Sequence, residues 1–134
     1  MKLLNKHFLI TSACSLLIGN VFAESIEKGI ELNEAGMYET AKTFLLEGIR
    51  SATTAEACYY LGDTYMMLNQ DDSAAYYFEK SLATDPKYGL PLVGEGKLLL
   101  KKNDNLAAEE KFKLAIKENK KNPAIYTAIA AAYV

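Results

Sequence analysis

This chain repeats itself. The segment Leu61-Gly62-x-x-Tyr65, continued by Ala74, Phe78, Leu82 and Pro86, recurs on both sides. Gly29, Leu32, Gly36, Tyr38, Ala41 and Leu45 stand 33 residues before Gly62, Tyr65, Asn69, Asp71, Ala74 and Phe78. Gly96, Leu99, Asn103, Asn105, Ala108, Phe112 and Ile116 stand 34 residues after Gly62, Tyr65, Asn69, Asp71, Ala74, Phe78 and Leu82. A fourth copy opens at Tyr126, Ile129, Ala130 and Tyr133. Self-similarity at such a period means stacked supersecondary units rather than one closed core. It also turns the question of function from catalysis toward binding.

Apolar spacing predicts two helices per unit. In the middle copy Cys58, Leu61, Gly62 and Tyr65 fall at i, i+3, i+4 and i+7, one face of a first helix. Asn69-Gln70-Asp71-Asp72 breaks the pattern with turn-prone residues and places acidic groups at the next helix start. Ala74, Ala75, Phe78, Ser81 and Leu82 mark the buried face of a second helix, which Asp85-Pro86 ends. Gly62 and Ala74 stand where the two helices cross, and the recurrence of glycine at 29, 62 and 96 implies a packing need. A helical glycine costs about 1 kcal/mol relative to alanine, so it is kept for a reason.

These residues resemble the tetratricopeptide repeat, a helix-turn-helix unit of the same period. Residues 55–88 fit best, through Leu61, Gly62, Tyr65, Ala74, Phe78, Leu82 and Pro86. Residues 89–122 keep Gly96, Ala108, Phe112, Ala115 and Ile116, with Leu99 at the usual tyrosine and Glu95 at the usual leucine. The first copy, about 24–54, fits least: Lys28 replaces the leucine and Thr53 stands near the missing proline. Residues 123–134 supply the first helix of a fourth unit. The resemblance implies an all-α fold, an α-solenoid of stacked hairpins.

The first residues read as an export signal, residues 1–23. Lys2 and Lys6 give a positive start, Phe8 to Ile18 is apolar, and Val21-Phe22-Ala23 puts small residues at the positions a signal peptidase reads. The expected cut is Ala23/Glu24 and the expected compartment is the periplasm. An uncleaved anchor is the alternative, the only membrane association expected, although the apolar run is short for a span of about 20 residues. Lipid attachment at Cys14 is disfavoured, because Thr11-Ser12-Ala13 lacks the leucine expected ahead of such a cysteine. Without the leader the chain carries 13 basic and 17 acidic residues, a net charge of −4. Glu24 to Glu79 contributes −8 and Lys80 to Val134 contributes +4. Such a gradient can orient a partner; alternatively, the solvated faces of the repeats simply differ. The basic half lacks base-stacking aromatics among its lysines, so no nucleic-acid partner is expected. Cys58 alone remains after the cut, which leaves no intrachain disulfide, and it reads as a small buried hydrophobe.

No catalytic, cofactor or metal site is expected. His7 lies in the leader and there is no tryptophan, so histidine-based general bases, nucleophile arrangements and metal sites have no residues to use. Glu27, Glu31 and Glu34 have the spacing of a solvated helix face. Gly94-Glu95-Gly96-Lys97 fails as a phosphate loop, which would need glycine at Pro91 and serine or threonine at Leu98.

What remains is a surface. The resemblance implies that first helices line an inner wall, here Ile26, Ile30 and Asn33, then Tyr59, Asp63, Met66 and Met67, then Val93, Lys97 and Leu100. Tyr59, Met66 and Met67 lie off the Leu61/Tyr65 face and read as surplus apolar groups suited to varied partners, unless neighbouring repeats absorb them. The family's carboxylate clamp needs Lys and Asn where this chain has Ile26, Ile30, Asp63, Leu90 and Gly94, so an apolar or aromatic segment is the expected ligand. The candidate partner-binding residues are Ile30, Tyr59, Asp63, Met66, Met67, Val93, Lys97 and Leu100. The expected role is an exported protein-interaction scaffold holding a peptide or protein, with no small-molecule substrate. The alternative is an accessory module of a larger enzyme, sensor or envelope complex that continues beyond Val134; self-assembly through exposed repeat ends is a third reading. Pro123 to Val134 holds no charged residue, so Ile125, Tyr126, Ile129 and Tyr133 are expected to need a further helix or a partner over them.

Overall fold

The computed structural model describes Val21 and residues 23–134. The expected leader, residues 1–23, therefore lies mostly outside the described residues; Val21 and Ala23 are helical and continue into the first helix. Seven helices and no strands occur among the described residues. Helix α1 runs through residues 23–34, α2 is Tyr38–Ile49, α3 Ala55–Met67, α4 Asp71–Thr84, α5 Leu90–Lys101, α6 Asn105–Glu118 and α7 Pro123–Ala132. The first helices α3 and α5 pack on each other, as do α5 and α7, while α4 bridges from its own α3 to α5.

One turn chemistry closes all three hairpins. Gly36, Asn69 and Asn103 have positive φ of 76°, 58° and 61°. In the middle copy the Asn69 N–H donates to the Met66 carbonyl at 3.0 Å and the Gln70 N–H to the Tyr65 carbonyl at 2.9 Å. The Gly36/Met37 and Asn103/Asp104 pairs repeat both bonds on the equivalent carbonyls. This is the Schellman closure, which satisfies the last carbonyls of a helix by a left-handed residue, for which Gly and Asn are best suited. Side chains cap other helix starts, the Thr54 hydroxyl accepting from the Ala57 N–H at 3.0 Å and the Asn122 side chain from the Ala124 N–H at 3.0 Å. Gln70 at the start of α4 makes no such bond, and Asp71 and Asp72 fill the first turn of that helix. Asp85 is extended, as expected before Pro86, and α4 stops at Thr84.

The hairpins close because a large side chain lies where a Cβ would be. A methyl group on Gly62 would sit 2.6 Å from the Phe78 ring, and one on Gly29 would sit 2.6 Å from Leu45 Cγ. Gly96 stands in the same relation to the Phe112 ring. Phe78 also lies against the next hairpin, since a Cβ on Gly94 would be 2.5 Å from its ring tip. Cys58, Leu61, Ala74 and Phe78 have no exposed surface, so the predicted packing face is the observed one.

The last helix corrects one expectation. Ile125 is fully buried within the chain, in a cluster with Leu92, Val93, Ala108, Phe112 and Ala115, and Ala128 and Ile129 pack against it. Tyr133 meets the Phe112 ring edge-on at 5.7 Å. The open groove between α5 and α6 thus accommodates one face of α7, and of Ile125, Tyr126, Ile129 and Tyr133 the two tyrosines keep large exposed areas, 46% and 61%.

Gly62→Ala should destabilise the array by about 1–3 kcal/mol through overpacking, despite alanine's better helix propensity. Phe78→Ala alone should cost about 3–5 kcal/mol. The double variant Gly62→Ala/Phe78→Ala should cost less than the two singles together in urea unfolding, because the ring that the methyl group strikes is gone. Strict additivity would show that the two groups do not compete for one space.

Candidate functional site: the wall of first helices

The repeat places equivalent positions of α3, α5 and α7 side by side. Their C-terminal halves enclose a groove of about 400 Å³ lined by Met66, Met67 and Asn69 of α3 and its turn, Lys97, Leu100 and Lys101 of α5, and Ala131 and Ala132 of α7. Four sequence-predicted residues, Met66, Met67, Lys97 and Leu100, therefore meet in one place. Met67 is the most available of them, 47% exposed. Lys101 is steadied by an ion pair with Asp71 at 2.6 Å.

The other predicted residues do not line this groove. Tyr59 is 9% exposed, tilted on the Phe78 ring at 6.0 Å and edge-on to Tyr88 at 6.0 Å. Met66, although it lines the groove, is only 7% exposed, and Val93 is 1% exposed in the core beside Ile125. Of the surplus apolar groups suggested by the sequence, Tyr59, Met66 and Met67, only Met67 stays exposed, and the candidate Val93 is buried as well. The neighbouring hairpin absorbs Tyr59 and Met66, and the α6/α7 pair absorbs Val93. Ile30 is half-buried on α1.

Asp63 lies between these regions. Burial pushes its carboxyl above the ordinary range, and the nearby Lys97 charge and the Asn33 amide oppose that rise. The Asn33 amide donates to the Thr64 hydroxyl at 2.9 Å, and that hydroxyl donates to the Tyr60 carbonyl at 2.7 Å, a buried polar link between α1 and α3. Cys58 is buried, and burial raises its thiol against the opposing charge of Lys80.

Sequence reasoning missed Asn69, Lys101, Ala131 and Ala132. The repeat period was the signal for two of them: Lys101 stands 34 residues after Met67 and Ala131 stands 34 after Lys97. A larger hollow of about 720 Å³ opens between the second helices α2 and α4, lined by Thr43, Leu46, Glu47, Ile49, Arg50, Tyr77 and Lys80. It joins two repeats, whereas the smaller groove joins three at equivalent positions. No group of three or more His, Cys, Asp or Glu able to hold a metal occurs among the described residues. No helix among them is long and apolar enough to cross a membrane.

Comparison with known proteins agrees with this architecture. Residues 55–88 match the family described as Tetratricopeptide repeat. The crystal structure of the Yersinia enterocolitica type III secretion translocator chaperone SycD (alternative dimer) superposes with a TM-score of 0.71. The match covers 85% of this chain and 92% of that one at 17% sequence identity, a likeness of fold. No curated protein sequence matches the chain. Residues 55–88 thus match a tetratricopeptide repeat, and the described residues fold as an all-α solenoid of stacked helical hairpins.

Asp63 gives a pH signature. A carboxyl raised in the folded state costs stability while ionised, and the cost is relieved as the pH falls through its folded value. Asp63→Asn should therefore raise the thermal midpoint at pH 7, with the gain shrinking toward about pH 4, where the unfolded carboxyl also takes up its proton. A lowered midpoint at pH 7 would mean that the contacts of Asp63 with Lys97 and Asn33 outweigh its desolvation.

Proposed function

We propose that this protein is an exported scaffold that holds an apolar peptide segment of a partner protein in the groove between α3, α5 and α7. The observation that carries the reading is the meeting of Met66, Met67, Lys97 and Leu100 from two successive first helices, with α7 as the far wall. Methionine is unbranched and polarisable, so a floor containing Met66 and Met67 adapts to differing side chains. Lys97 and Lys101 at the rim would orient a segment by charge while contributing little to affinity in water. The type III secretion translocator chaperone of like fold is itself a chaperone, a role compatible with holding another polypeptide.

Export rests on the leader pattern of Lys2, Lys6, the Phe8–Ile18 stretch and Val21-Phe22-Ala23. Intact mass spectrometry of the protein from a periplasmic fraction should give a chain beginning at Glu24. A chain that keeps residues 1–23 would overturn cleavage and favour the anchored form.

The groove is tested through its exposed member, because truncating Tyr59 or Val93 would disturb the core. Met67→Asp should abolish capture of the partner from periplasmic extract while leaving the helical circular dichroism and unfolding midpoint nearly unchanged. The introduced carboxylate would have to be desolvated against an apolar ligand, a cost of several kcal/mol. An unchanged set of captured proteins would remove the groove from the binding surface.

A further inference from the structure

Three tyrosine rings meet in the N-terminal part of the same wall, away from the methionine groove. The Tyr59 ring is edge-on to Tyr60, with centroids 5.1 Å apart at 68°, and edge-on to Tyr88, 6.0 Å apart at 79°. These steep angles make a corner rather than a stack. Tyr59 forms the buried back of the corner, whereas Tyr60 and Tyr88 are half-buried. The Tyr60 hydroxyl donates to the Glu34 carboxylate at 3.0 Å, which brings an exposed acid of α1 to the ring edge. Glu56, also exposed, stands in the first turn of α3.

The electrostatics have one sign. Burial first, then the Glu34 hydrogen bond and the charges of Glu34, Glu56 and Asp63, push the Tyr60 hydroxyl up to about 12. Burial and then Glu56 raise Tyr88; burial and then Asp63 raise Tyr59. Lys97 opposes the rise of Asp63 but is not among the charges acting on the three hydroxyls.

Elsewhere the fold supplies its tyrosines with cations of its own. Lys42 stands 6.0 Å from the Tyr65 ring, and Lys80 stands 6.0 Å from each of the Tyr76 and Tyr77 rings. Among the described residues no lysine or arginine stands over Tyr59, Tyr60 or Tyr88. Ring faces attract cations through their quadrupole, and the attraction grows where water is partly excluded and carboxylates are near.

We propose that Tyr60 and Tyr88, with Glu34 and Glu56, form a recognition site for the ammonium or guanidinium head of a lysine or arginine side chain in a bound polypeptide. The corner takes the positive head against its ring faces, and the two exposed glutamates neutralise it. Lys97 and Lys101 line the methionine groove and, among the described residues, stand over none of these rings, so the wall reads opposite charges in its two parts. The site stands apart from the groove and its probe is a small molecule, so its failure and the failure of the groove reading are separately visible.

The test is an NMR titration of the full chain at low salt with N-acetyl-lysine amide, N-acetyl-arginine amide and the neutral isostere N-acetyl-norleucine amide. Saturable shifts of the Tyr60 and Tyr88 ring protons with the two cations and none with the norleucine amide are expected. Glu56→Gln should weaken binding measurably with the fold intact, and Tyr88→Leu should weaken it by about 2- to 5-fold. Raising the salt to about 0.5 M should weaken it further. Absence of saturation, an equal response to the norleucine amide, or indifference to Glu56→Gln would overturn the site. Choline is the last probe: a response stronger than that to the lysine amide would overturn the side-chain assignment in favour of free quaternary ammonium compounds.

Discussion

The close approach of Phe78 to Gly62 is the contact on which the remaining structure depends. Glycine within α3 costs about 1 kcal/mol of helix propensity, and burying a phenylalanine side chain returns about 1.5–3 kcal/mol. The exchange is favourable only if the ring reaches the α3 backbone, which Gly62 alone permits. Because Phe78 also lies against Gly94, one ring joins two hairpins. That ring, with Tyr59, Met66 and Leu98 packed in the same cluster, fills the space between α3 and α5.

Packing of this kind was legible because it repeats. Glycine at 29, 62 and 96 and a large apolar residue at 45, 78 and 112 announce the same contact three times. The turns were legible for a like reason, since Gly36, Asn69 and Asn103 all take the left-handed conformation. The surface was less legible. Periodicity assigns Tyr59 and Met66 to a face, but whether that face meets solvent depends on how far the next hairpin reaches across it. Tyr88, which covers Tyr59, belongs to the entry of α5, outside the aligned positions. Val93 was hidden likewise by Ile125, a residue of the fourth copy.

The same limit explains the misread α7. Hydropathy alone marks Pro123 to Val134 as a helix in need of cover, and it cannot tell which side already has one. The structure divides it: Ile125 and Ile129 turn toward α5 and α6, while Tyr126 turns outward and its hydroxyl donates to the Lys120 carbonyl at 3.1 Å. Tyrosine suits that border because its ring packs while its hydroxyl keeps a polar partner.

Stability and recognition draw on different residues here. The contacts that hold the hairpins, Phe78 to Gly62, Phe112 to Gly96 and Leu45 to Gly29, are apolar and recur in every copy. The wall residues do not recur: Ile30, Asp63, Lys97 and Ala131 occupy one equivalent position with four different chemistries. Asp63 is the clearest case, because a carboxyl driven upward by burial is a poor choice for a position whose only task is packing. An alanine there, as at 131, would carry no desolvation cost. Repeated residues thus build the solenoid, and positions that vary from copy to copy give the wall its chemistry, Ile30, Asp63, Lys97 and Ala131 at one and Glu34, Met67 and Lys101 at another.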